Sequence, residues 1–115
     1  MRYTLHTTGK VNFESQPIRC GLPPALPIVG FRVEITVNAL SNGLVMLVED
    51  VVATVQRIAR TLYQPTCEEI ADAACDYFRW RWVNTGRLMR VNVKVSSGDK
   101  WIHFAECEWT ANARR

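Results

Sequence analysis

Residues 64–78, QPTCEEIADAACDYF, constrain the fold of this chain more than any other stretch. Pro65 restricts the backbone just before a helix, Thr66 is a favourable N-cap residue, and Glu69 stands where it can close a capping box. Apolar residues then recur at helical spacing, and charged residues occupy the opposite face. The apolar positions are Ile70, Ala71, Ala74, Tyr77 and Phe78, and the charged positions are Glu68, Asp72, Asp76 and Arg79. The stretch therefore predicts an amphipathic helix that packs against a sheet.

Glu68 belongs to the first turn of this predicted helix. The amide N–H groups of a first turn have no partner within the helix, and the helix dipole favours an ionised carboxylate there. Glu69 is the expected capping partner of Thr66, so Glu68 is free to accept hydrogen bonds from a ligand. The alternative is a solvated acid that the helix dipole merely stabilises.

The composition is that of one folded domain spanning residues 1–115. Apolar residues make up 48% and charged residues 22% of the chain, which excludes a disordered protein. The net charge of +3 arises from 14 basic and 11 acidic residues. This excess is too small to indicate nucleic-acid binding by itself, although it permits an anionic small ligand.

The four cysteines contain no Cys-x-x-Cys pair, and two of them, Cys67 and Cys75, lie in or at the predicted helix. Such spacing favours reduced thiols in a cytoplasmic protein over a disulfide framework. Nothing at the N-terminus resembles a signal peptide, and no apolar run approaches the roughly 18 residues of a membrane span. We therefore expect a soluble cytoplasmic protein without a membrane partner.

Hydrophobic periodicity divides the rest of the chain into strands, a loop and a further helix. Four prolines and two glycines in residues 15–30 exclude a helix or a central strand there and predict a long loop. The predicted strands are residues 1–14, with a bend or a short hairpin, 31–39, 89–96 and 101–109, and the first helix is residues 48–62. Two helices thus stand between two pairs of strands.

This order predicts the α+β class, with two helices covering one face of a four-stranded, mostly antiparallel sheet. The outer strands of such a sheet expose unpaired backbone groups. Continuing the sheet from subunit to subunit would remove these edges, so we expect a homo-oligomer that closes into a ring through its sheet edges.

Two stretches give the chain a resemblance to a known family. FRVEITVNALSNGLVMLVEDV, residues 31–51, is similar to the second strand and the entry to the first helix of tunnelling-fold (T-fold) synthases, and PTCEEIADAACDYF is similar to the start of their second helix. The family has ring-forming ββααββ subunits. It includes the 6-pyruvoyl- and 6-carboxytetrahydropterin synthases, the dihydroneopterin aldolases and the nitrile reductase of queuosine synthesis. The resemblance implies that Glu68 anchors the 2-amino-4-oxo edge of a ring, with Thr66 as a further substrate-binding residue.

The chain departs from the synthases at their zinc site. The synthases bind zinc through three histidines, whereas this sequence contains only His6 and His103. The Asp-His catalytic pair that the synthases carry between their helices is missing as well, and Cys20 alone stands where their loop cysteine would be. We therefore expect no metal and no cofactor.

Two other members of the family resemble the chain in the short connection between the helices. The spacing from Asp50 to Glu68 fits the aldolase pattern, although Val48 stands in place of the aldolase tyrosine. The nitrile reductases have a loop cysteine nucleophile followed by an aspartate. Cys20 fits that cysteine, but no acid lies between it and Phe31.

Three further residues are candidates for the site. Cys20 could act as nucleophile or general base if a nearby cation lowered its pKa, and Arg19 adjoins it; an inert loop thiol is the alternative. His103 could carry a proton, or it could be a satisfied core or interface histidine. Glu106, on the last predicted strand, could be a second carboxylate that binds the substrate, or a solvated acid.

We therefore predict a zinc-independent T-fold enzyme, similar to 6-pyruvoyl-tetrahydropterin synthase, that acts on a pterin, a purine-like or a similar flat heterocycle. Glu68 would hold the ring while Cys20 and His103 supply acid, base or nucleophile chemistry of a lyase or related type. The alternative is a catalytically inactive ring that binds a ligand or a protein partner. Nucleic-acid binding through residues 79–82, RWRW, is the weakest hypothesis, because this run also suits a subunit contact at a helix C-terminus.

Overall fold

Segments with alternating apolar and polar residues form strands, and segments with helical periodicity form helices, in the computed structural model of the chain. The structure describes residues 2–13, 28–38, 48–62, 65–82, 88–97, 101 and 104–111. In chain order the elements are β1 (Tyr3–Asn12), β2 (Ile28–Val37), α1 (Val48–Thr61), α2 (Cys67–Trp82), β3 (Leu88–Ser97) and β4 (Ala105–Thr110). The predicted α+β class is confirmed.

The four strands form one open sheet in the order β1-β2-β3-β4, and all neighbouring strands are antiparallel. Val33 of β2 pairs with Thr7 of β1 and with Val93 of β3, and Val93 pairs with Cys107 of β4. Directly paired residues project on the same face of a sheet, so these four residues mark one face. Both helices lie in sequence between the central strands β2 and β3, and β1 and β4 are the edges of the sheet.

The helices pack on the face that Val33 marks. Asp72 of α2 accepts a hydrogen bond from the Cys107 thiol at 3.3 Å, and Val52 of α1 lies beside Gly9 of β1. A Cβ atom at position 9 would stand 2.5 Å from Cζ of Phe31, so this glycine leaves room for the buried Phe31 ring. The largest fully buried side chains are Phe13, Phe31, Phe78, Ile70, Val11, Val29, Val33, Val51, Val55, Val91, Val93 and Val95.

The predicted capping box at the start of α2 is confirmed. The Thr66 N–H donates to Oε1 of Glu69 at 3.0 Å, and the Glu69 N–H donates to Oγ1 of Thr66 at 3.2 Å. These two bonds satisfy N–H groups that the first turn of a helix leaves without partners. The predicted apolar positions of α2 are buried, except that Tyr77 is half-buried. The helix therefore starts and orients as its sequence predicts.

The first predicted strand is confirmed, but its hairpin alternative is wrong, and so are the predicted starts of the second and last strands. Residues 3–12 form a single ten-residue strand without a hairpin, because the Thr-Thr-Gly segment pairs continuously with β2. Strand β2 begins at Ile28 rather than at Phe31, since all four loop prolines precede Ile28 and leave the next three residues free to pair. The last strand starts only at Ala105, where its pairing with β3 begins.

The helices are short. Helix α1 has 14 residues and α2 has 16, whereas a membrane span needs about 20 apolar residues. Within the described ranges, no helix combines the length and the apolar character needed to cross a lipid bilayer.

Candidate functional site

Glu68 lies exposed in the first turn of α2. The capping box uses the neighbouring Glu69, and among the described residues Glu68 itself forms no hydrogen bond or ion pair. Its charge acts on Cys67: burial raises the pKa of this thiol, and the Glu68 carboxylate raises it further. The start of α2 therefore presents one exposed carboxylate whose oxygens are available as acceptors, beside the N-cap residue Thr66.

Apart from Thr66, the one other described residue of the predicted site is Glu106, and it does not lie at the start of α2. Cys20 and His103 lie outside the described residues. Glu106 lies on β4, where its neighbour Cys107 faces α2. Because side chains alternate along a strand, Glu106 projects from the face of the sheet opposite the helices. A second substrate-binding carboxylate at Glu106 stays a prediction.

The face of the sheet opposite the helices, here called the open face, carries a polar network that sequence reasoning missed. Among the described residues, the open face includes His6, Thr8, Arg32, Glu34, Arg90, Asn92, Lys94, Glu106 and Glu108. Oε2 of Glu34 lies 3.1 Å from Nδ1 of His6, and its Oε1 lies 3.9 Å from Nη1 of Arg90. Nη2 of Arg90 in turn lies 2.7 Å from Oε1 of Glu108. A continuous line of polar contacts therefore crosses all four strands.

Asn92 is the buried centre of this network, with only 1% of its surface exposed. Its Nδ2 donates to Oε2 of Glu106 at 2.6 Å and to Oε1 of Glu108 at 2.9 Å. The hydrogen bond from Asn92 lowers the pKa of the Glu108 carboxyl; burial opposes this effect, and Arg90 adds to it. One amide thus holds two neighbouring carboxylates of β4. The alternation of residues along the last strand assigns Glu106 and Glu108 to one face of the sheet. Nothing in the sequence indicates that Asn92 is their hydrogen-bond partner.

A cavity of about 520 Å³ opens between α2 and β4 and is lined by Asp72, Cys75 and Cys107 among others. The Cys107 thiol donates to Oδ1 of Asp72 at 3.3 Å, and the Cys75 sulfur lies 4.0 Å from the carbonyl oxygen of Val91. Burial, followed by the Asp72 and Cys75 side chains, raises the pKa of Cys107 to about 12, and burial also raises the pKa of Cys75. Both thiols are therefore protonated at neutral pH and act as donors rather than as nucleophiles.

Asp72→Asn is expected to lower the pKa of Cys107, because the carboxylate that it removes disfavours the thiolate through a hydrogen bond and through its charge. A lower pKa increases the thiolate fraction at a given pH, so iodoacetamide should alkylate Cys107 faster and from a lower pH upward. Mass spectrometry that resolves each cysteine, over a series of pH values, measures this change. Asp76→Asn is the matched control, since Asp76 does not act on Cys107. Equal Cys107 rates in the parent and in Asp72→Asn would contradict the assignment.

In the ranges that the structure describes, no group of three His, Cys, Asp or Glu side chains could hold a metal ion. The remaining histidine, His103, lies outside those ranges, as does Cys20. Neither a family model nor a curated protein matches the chain.

Proposed function

We propose that the protein is a T-fold subunit that binds a pterin, a 7-deazapurine or a similar flat heterocycle through Glu68. The element order of two strands, two helices and two strands, with each strand antiparallel to its neighbour, supports this proposal. The observation that carries it is that the two neighbouring glutamates at the start of α2 differ in their hydrogen bonding. Both glutamates are exposed, but Glu69 is bonded within the capping box, whereas Glu68 forms no hydrogen bond or ion pair with the described residues.

The hydrogen-bond donors of the heterocycle explain why the carboxylate of Glu68 is a suitable partner for it. A 2-amino-4-oxo heterocycle presents two adjacent N–H donors, and an ionised carboxylate can accept both of them. Hydrogen bonds to a charged acceptor are roughly twice as strong as neutral ones. The capping box fixes the turn from which Glu68 projects.

The open edges β1 and β4 support the proposal that subunits continue the sheet into a ring. Trp80, near the end of α2, is 73% exposed and is the proposed contact to a neighbouring subunit. In this proposal Cys20 and His103 supply zinc-independent acid, base or nucleophile chemistry. A ring without catalytic activity that binds a ligand or a protein partner is the alternative.

Glu68→Gln is expected to weaken binding of the heterocycle by about 2–3 kcal/mol, which is roughly 30- to 150-fold in Kd. The substitution keeps the shape of the side chain but replaces one acceptor by a donor, which then faces an N–H of the ring. Stability should change little, because Glu68 is exposed and forms no hydrogen bond with the described residues. Isothermal calorimetry with pterin and with 7-deazaguanine measures the effect.

Glu69→Gln is the matched control for this experiment. A glutamine at this position can still accept the Thr66 N–H bond, so the capping box is kept and the affinity should be nearly unchanged. Equal affinities of the parent and both variants would remove Glu68 as the anchor. If the parent binds neither class of ring, the proposal fails and the partner-binding ring takes its place.

A further inference from the structure

The open face contains basic side chains that contact carboxylates and basic side chains that do not. His6, Arg90 and the amide of Asn92 contact the three carboxylates of this face at distances between 2.6 and 3.9 Å. Arg32 and Lys94 form no ion pair with any described carboxylate, although Lys94 contributes to the lowered pKa of Glu108. Arg32 and Lys94 therefore have no carboxylate within ion-pair distance among the described residues, and their N–H groups are available to an anion.

Arg32 and Lys94 are direct neighbours in the pairing of β2 with β3, and both face aromatic rings. Cζ of Arg32 lies 4.3 Å from the ring centroid of Trp101, and Nζ of Lys94 lies 5.5 Å from that of Phe104. The two rings stand edge to face, with centroids 6.3 Å apart. Phe104 is 46% exposed. Two cations and two aromatic rings thus form one continuous patch at this end of the open face, here called the basic-aromatic patch.

Two adjacent cavities open beside Arg32. One of about 280 Å³ is bordered by Arg32, Lys94 and Thr8, and the other, of about 350 Å³, by Arg32, Thr8 and Trp101. The second also includes Gly30, which pairs with Lys10 on β1 and carries no side chain to fill the space. Small-molecule sites begin at about 300 Å³, so each cavity can take a ring or a phosphate group but not a large ligand.

The structure assigns the basic-aromatic patch as a binding site for an aromatic base that carries a phosphate. Arginine is the side chain best suited to phosphate because its guanidinium offers several N–H donors in one plane, and Lys94 adds a second charge next to it. Aromatic rings and guanidinium planes both stack on nucleobases, and they do so with every base. The ligand is either a free nucleotide or a nucleotide within a single strand. This assignment is independent of Glu68, which lies on the start of α2.

Binding of AMP and of a short labelled oligothymidylate to the full chain tests the assignment, with inorganic phosphate as a third probe. Arg32→Gln should weaken binding of the nucleotide probe by about tenfold or more, the effect of one lost charged hydrogen bond. Trp101→Leu should weaken it by roughly five- to hundredfold through the loss of stacking. Circular dichroism melting checks that each variant is folded. For the oligonucleotide, each lost phosphate contact should also reduce the slope of log K against log salt by about 0.7.

The matched control is Arg60→Gln, at an exposed arginine in the last turn of α1. It should leave binding unchanged. AMP binding identifies a free nucleotide as the ligand, whereas binding of the oligonucleotide alone identifies a single strand; either result supports the assignment when Arg32→Gln and Trp101→Leu reduce it. Three results would overturn it: neither nucleotide probe binds, inorganic phosphate binds as tightly as AMP, or Arg60→Gln loses as much affinity as the variants of the basic-aromatic patch.

Discussion

Phe31→Ala is expected to lower the free energy of unfolding by about 3–5 kcal/mol. The Phe31 ring is fully buried on β2, in the middle of the face that both helices cover. The backbone around it is fixed on both sides, because Phe31 pairs with Gly9 of β1 and with Val95 of β3. A cavity left by the ring can therefore collapse only in part, which adds to the lost transfer free energy. Urea denaturation of both proteins, analysed with a common slope, measures the difference.

Phe104→Ala is the matched control for Phe31→Ala, since Phe104 is 46% exposed at the rim of the open face. Removal of an exposed ring should change stability by less than about 1 kcal/mol. A loss of about 3–5 kcal/mol is a large share of the free energy of unfolding of a typical domain, which is about 5–15 kcal/mol, so the alanine variant could fail to fold. Phe31→Leu is the second variant for that case. That milder variant should lose about 1 kcal/mol. Equal effects at positions 31 and 104 would contradict the described core.

Asn92→Asp is expected to destabilise the protein by about 3–5 kcal/mol at neutral pH. The substitution preserves the shape of the side chain but removes both hydrogen bonds that Asn92 donates to Glu106 and Glu108. It also places a third carboxyl group within hydrogen-bond distance of two others, at a position that is only 1% exposed. Guanidinium denaturation at several pH values measures the loss.

The pH dependence of this variant has a definite sign. Burial and the two neighbouring carboxylates disfavour the charged form, so the pKa of the new carboxyl group is higher in the folded than in the unfolded protein. The destabilisation therefore grows as the pH rises from the unfolded value, about 3.9, through the raised folded pKa, and stays constant above it. The pKa of Glu108 should rise at the same time, since its largest lowering cause, the bond from Asn92, is gone.

Asn38→Asp is the matched control, because Asn38 is exposed just after β2. Its carboxyl group stays solvated, so the stability should change by less than about 0.5 kcal/mol and without this pH dependence. If Asn92→Asp were as stable as Asn38→Asp at neutral pH, Asn92 would not be the donor that joins the two acids of β4.

The sequence predicted the helices of this protein better than its strands. The α2 capping box joins residues three positions apart, so both partners are visible in the local sequence, and both bonds are present. Residues 48–62 predicted the first helix, and α1 ends one residue earlier, at Thr61. The predicted strand boundaries were less accurate. A strand extends as far as a neighbouring strand pairs with it, and this length can differ from the stretch over which its own apolar and polar residues alternate. Ile28 belongs to β2 since Asn12 pairs with it.

The candidate site likewise combines features that the local sequence predicts with contacts that it does not predict. Glu68 lies in the first turn while the capping box uses Glu69, and both are local features of residues 66–69. The contact between Asp72 and Cys107 joins residues 35 positions apart, and no pattern in the sequence relates them. The same holds for Arg32 and Trp101, which are 69 positions apart in the sequence and meet in the fold.

The sequence by itself determined the helix starts, the buried face of each helix and the α+β class, because these depend on side-chain periodicity and on capping within a few residues. The register of the strands was decided by the tertiary structure alone, since alternation tells which residues share a face but not which residue stands opposite which. Register brings Glu34 between His6 and Asn92, and places Arg32 next to Lys94. It also brings Gly9 opposite Phe31, where a side chain would occupy the space of the ring. These pairings over long sequence distances create the open-face network, the basic-aromatic patch and the core.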